Sequence, residues 1–142
     1  SWEGMEGAAA EAGMREHAAP EHRDGRAAGD RLTSMLRAAT AILDDLASSD
    51  VLRQLVLAPS APCEGYAVLV TGHSLGAGVA ALIALLLRRE WREGGRAADA
   101  ARVRCFAFSP PGGSLSYGVA RAMAPFTICF MCVNASVTIG PV

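Results

Sequence analysis

Tyr66-Ala67-Val68-Leu69-Val70-Thr71-Gly72-His73-Ser74-Leu75-Gly76-Ala77-Gly78 is the stretch that decides the fold of this chain. Tyr66 to Thr71 forms an apolar run without alternation, the pattern of a parallel strand covered on both faces. Leu75 to Trp91 then carries Val79, Leu82, Ile83, Leu85, Leu86 and Leu87, apolar nearly all round, so a buried helix is predicted there. Arg88, Arg89 and Arg92 close it, which suits the negative end of the helix dipole. A serine flanked at two residues' distance by glycines therefore falls on the sharp turn between a strand and a helix.

Gly72-His73-Ser74-Leu75-Gly76 is a G-x-S-x-G pattern in the context that gives it chemical meaning. The turn strains the serine backbone and projects its hydroxyl outward, and a side chain at Gly72 or Gly76 is expected to strike the neighbouring strand or helix. Ser74 is the candidate nucleophile. The backbone N–H of Leu75, at the helix N-terminus, is the candidate oxyanion donor. His73 is adjacent to the serine, and neighbours on a turn point apart, so it reads as a pocket or packing residue.

Upstream, Leu32, Met35, Leu36, Ala39, Ile42, Leu43 and Leu46 recur at helical spacing behind Asp30, the expected N-cap. A short second helix is expected from Val51 to Val56, and Ala58-Pro59-Ser60-Ala61-Pro62 is a connector. Downstream, Glu93 to Ala101 reads as a loop and Val103 to Phe108 as a second strand. A short helix is expected near Ser116 to Met123, and a third strand from Phe126 to Val133. Alternating helices and strands make an α/β protein with a mostly parallel sheet and flanking helices. Residues 1–29 read as a poorly ordered tail, and residues 30–142 as one domain.

Val68 to Gly78, with Ala80, Ala81 and the leucines beyond, resembles the nucleophile region of the class three lipases. Cys105-Phe106-Ala107-Phe108-Ser109-Pro110-Pro111-Gly112-Gly113 is similar to the sn-1-specific diacylglycerol lipases among them. The resemblance implies an α/β-hydrolase fold and hydrolysis of an acylglycerol or other lipid ester through an acyl-enzyme on Ser74. It implies no cofactor and no metal, and it allows a membrane surface for the parent protein. The family's aspartate and histidine have no counterpart. The acid position falls at Asn134 or Ala135, no Asp or Glu follows Asp99, and no histidine follows His73. His17 and His22 precede the nucleophile, against the Ser…Asp…His order of this fold. The chain thus reads as a partial hydrolase domain ending before its histidine, or alternatively as an inactive, hydrolase-like binding or regulatory module. A thioesterase or peptidase is a third reading.

Composition adds exclusions. The net charge is -1, and all 13 basic residues are Arg. That balance gives no case for nucleic acid. No secretory leader is legible, and the apolar stretches 66–87 and 124–142 contain too many Gly, Pro and polar residues for a membrane helix. Localisation and oligomeric state are not legible. Cys63, Cys105, Cys129 and Cys132 read as free thiols, since C-x-x-C positions on a strand point to opposite faces.

Overall fold

The computed structural model describes residues 24–111, 117–133 and 136–141. The expected tail, with His17 and His22, lies outside the described residues up to residue 23. Helix α1 spans Asp24–Ser48, six residues earlier than the Asp30 cap suggests. Asp30 lies inside the helix, where its carbonyl accepts a bond from the Ser34 hydroxyl. A π-helical turn, Arg53–Leu57, follows where a short α-helix was expected. Then come β1 (Val68–His73), α2 (Leu75–Glu93), α3 (Ala97–Arg102), β2 (Val103–Phe108), α4 (Tyr117–Met123), β3 (Thr127–Val133) and β4 (Ser136–Pro141).

Two further elements depart from the sequence expectation. Helix α3 occupies the Ala-rich segment read as loop; Ala is the best helix former, and Asp99 pairs with Arg102 one turn later. Strand β4 adds a fourth, antiparallel member to the expected parallel three. The strands run in the order β1-β2-β3-β4, with β1–β2 and β2–β3 parallel and β3–β4 antiparallel. Gly140 and Pro141 disguise β4 in the sequence, but an edge strand tolerates proline.

The core lies between α2 and one face of the sheet. Val103, Cys105 and Ala107 of β2 point into it with Thr127 and Cys129 of β3, against Ala77, Ala80, Ala81, Ala84 and Leu87 of α2. The small residues let helix and sheet approach closely. α1 crosses the back of α2 at Gly78, where a Cβ would stand 2.3 Å from Met35 Sδ. Gly78→Ala should cost about 1–3 kcal/mol by overpacking, and Met35→Ala should recover part of that loss in a denaturation double-mutant cycle. Full additivity of the two changes would exclude the contact.

The opposite sheet face differs from expectation. β1 alternates between half-buried and exposed residues instead of being covered on both sides. Leu69, Phe108 and Ile128 are 52%, 40% and 40% exposed on that face. Phe130 stacks on Phe108 at 4.7 Å and meets Phe106 edge-on at 5.8 Å. The residues are apolar on both faces, but among the described residues only one face has a layer packed on it.

Cys63, Cys105 and Cys129 are free thiols; the side chain of Cys132 lies outside the described residues. Burial, with Cys129 nearby, pushes the Cys105 thiol up to about 11. Between pH 9 and 11 the folded state therefore holds a proton that the unfolded state releases, so stability falls as pH rises through that window. Denaturation midpoints should drop over this range and drop less in Cys105→Ala. At pH 8 a thiol reagent should modify half-buried Cys63 before Cys105.

Candidate active site

β1 delivers the chain to the carboxyl edge of the sheet, the edge where ligands bind in open α/β sheets. Its last residue, His73, pairs in register with Phe108 of β2. The next N–H, that of Ser74, still donates to the Phe108 carbonyl at 2.9 Å. The chain then reverses. Ser74 takes φ 53° and ψ −125°, a left-handed conformation costing on the order of 1–3 kcal/mol for a residue with a side chain. Its carbonyl accepts the Ala77 N–H at 2.9 Å, which opens α2. Ser74 is exposed at the tip of this elbow.

The two elbow glycines do different work. A Cβ on Gly72 would lie 2.1 Å from the Gly76 carbonyl oxygen and 2.9 Å from the Ala77 nitrogen. Strand and helix backbones approach that closely because Gly72 has no side chain. At Gly76 a Cβ would meet nothing within 4 Å, which corrects the expected clash there. Gly76 contributes only the backbone that Gly72 must clear.

Leu75 is the first residue of α2 and is 49% exposed. Its N–H precedes the first intrahelical bond, so helix geometry leaves it without a backbone acceptor. It lies beside Ser74 at the positive end of the helix dipole. His73 points to the sheet's open face with Leu69 and Thr71, by strand alternation. An apolar groove of about 390 Å³ runs from the elbow along α2, lined among others by Ile42, Thr71, Leu75, Val79 and Ile83.

Ser109 is a feature that the sequence reading did not single out. It follows β2 as Ser74 follows β1, at φ 47°, and its N–H donates to the Phe130 carbonyl at 2.7 Å. The register places it beside Ser74 on the same edge. The Ser-Pro-Pro sequence marks the end of the strand, but a following proline favours extended backbone at negative φ, so it does not by itself signal the positive φ of Ser109.

No triad is assembled among the described residues. Asn134 and Ala135 lie outside the described residues, and His73 is the one histidine among those described. No group of three or more His, Cys, Asp or Glu side chains that could hold a metal occurs among the described residues. No described helix is long and apolar enough to cross a membrane.

The family model for lipase (class 3) matches residues 11–127, most of the chain and all of the elbow. The chain belongs to the class 3 lipase family. Its fold is therefore the α/β-hydrolase fold, represented here by a three-stranded parallel sheet, an antiparallel edge strand and flanking helices. Among curated lipases, it is 47% identical to human diacylglycerol lipase-alpha over 51 residues, which are 36% of this chain and 4% of that protein. It is 40% identical to mouse diacylglycerol lipase-beta over 63 residues, 44% of this chain and 8% of that protein. The chain thus covers a small fraction of the lipases it matches. No solved structure matches it significantly.

Proposed function

We propose that this chain carries the nucleophile half of a lipid-ester hydrolase acting on diacylglycerol or a related acylglycerol. The observation behind this reading is the left-handed Ser74, exposed on the carboxyl edge with the Leu75 N–H beside it. In the proposed reaction the Ser74 hydroxyl oxygen bonds to the acyl carbonyl carbon while a base takes its proton. Charge on the carbonyl oxygen is met by the Leu75 N–H, a donor worth about 10²–10³ in rate. The glycerol oxygen leaves with a proton, and water then releases the fatty acid from Ser74. The apolar groove along α2 suits an acyl chain.

Within these 142 residues no histidine follows His73 and no carboxylate follows Asp99, so none of them supplies the base and acid in the Ser…Asp…His order of this fold. The second reading is a hydrolase-like binding or regulatory module lacking turnover. Labelling by a fluorophosphonate separates the two. A longer chain supplying Asp and His beyond β4 should be labelled at Ser74, with labelling lost in Ser74→Ala. No labelling of the longer chain favours the module. A membrane surface belongs to this proposal as the source of an acylglycerol substrate.

A further inference from the structure

The end of α2 remote from Ser74 carries a second concentration of chemistry. Arg88, Arg89 and Arg92 line a cavity of about 360 Å³ whose other wall includes Pro125 and Phe126. At 1.5 Å rise per residue, Arg88 lies roughly 20 Å along the helix from the elbow. The cavity is therefore separate from the candidate nucleophile.

Arg88 is only 7% exposed. Its Nη1 donates to the carbonyls of Ala100 at 2.7 Å and Val103 at 2.9 Å, closing the carboxyl end of α3. Its guanidinium carbon lies 4.5 Å from the centre of the Phe126 ring. These neutral partners orient the group without neutralising it, and its Nε is buried with no acceptor. Burial, then the charges of Arg92 and Arg104, push Arg88 below the usual guanidinium range. A guanidinium nevertheless stays protonated in a protein. Arg89 is paired on the surface with Glu93 at 2.8 Å, and Glu93 also lines the cavity. Three cations thus face one carboxylate. Capping α3 accounts for Arg88 Nη1, but not for the excess of positive charge that Arg88, Arg89 and Arg92 place around the cavity.

We propose that this cavity binds a phosphate-type anion, with Arg88 and Arg92 as its principal donors. Guanidinium groups match phosphate oxygens in geometry and charge. The anion could come from a lipid headgroup or from a soluble phosphate, and the two sources are separable by experiment.

The test is calorimetric titration of the 142-residue chain with inorganic phosphate, against sodium chloride at matched ionic strength. Saturable phosphate binding is expected in the wild type and equally in Ser74→Ala. Arg92→Gln, at an exposed position, should weaken binding about tenfold, the worth of one charge-assisted bond. Arg88→Lys keeps the charge but loses the fork and should weaken it as well. Flotation with phosphatidylcholine vesicles, with and without phosphatidic acid, then identifies the source. Capture only by the anionic vesicles, reversed by phosphate, assigns a lipid headgroup; phosphate binding without capture assigns a soluble phosphate. Absence of saturable binding, or equal affinity in Arg92→Gln, overturns the proposal.

Discussion

The 142-residue chain alone should hydrolyse a short-chain nitrophenyl ester no faster than buffer, and it should react little with fluorophosphonates. The serine hydroxyl is positioned by the elbow, but a hydroxyl at its ordinary acidity is a poor nucleophile without a base. Removing the serine or the base from a complete triad costs about 10⁶ in turnover. Appending a segment that supplies an aspartate and a histidine in triad geometry should therefore raise activity by several orders of magnitude. Ser74→Ala in that longer chain should return it to background. Robust labelling of the short chain, abolished by His17→Ala or His22→Ala, would show that a histidine preceding the nucleophile serves as base. The chain-order argument would then fail.

Gly72→Ala should be the most damaging glycine-to-alanine change among the described residues. Its Cβ would lie 2.1 Å from the Gly76 oxygen and 2.5 Å from the Gly76 carbonyl carbon, backbone atoms with no rotamer to change. Relief requires α2 to lift from β1, which opens the core around Ala77 and Ala80. A loss of about 3–5 kcal/mol, or failure to fold, is expected in chemical denaturation. Gly76→Ala is the internal control: it meets nothing within 4 Å and gains up to about 1 kcal/mol of helix propensity. Equal costs for the two substitutions would contradict the elbow geometry.

The elbow was legible because its requirements are local. Two glycines, an apolar run and an all-apolar helix leave the chain few ways to turn, and Ser74 sits where they put it. Assigning the same steric duty to both glycines was the error, because spacing cannot show which backbone is approached and which approaches. α3 was missed because Gly94 and Gly95 dominate the reading of their segment, while the helical preference of Ala97-Ala98 is quiet. β4 was missed because its place depends on a partner, β3, and not on its own composition. The Arg88 cavity was hidden for a related reason. In sequence, Arg88, Arg89 and Arg92 are a helix terminus, and only the fold shows that Arg88 turns inward beneath Phe126 while its neighbours stay outside.

The two kinds of strand pairing also imply an order of events during folding. Val133 and Ser136 are paired across only two intervening residues, so β3 and β4 can zip together on the microsecond scale of a hairpin. Val68 and Val103 are partners across 35 positions, and their parallel alignment waits until α2 has formed and docked to close that loop. The crossover sets the pace. Truncating Leu82 or Leu87 in α2 should slow refolding, and weakening β4, which pairs before the crossover closes, should likewise act on refolding more than on unfolding. The strained serine turn is then made last, once the strand before it and the helix after it have left it no other conformation.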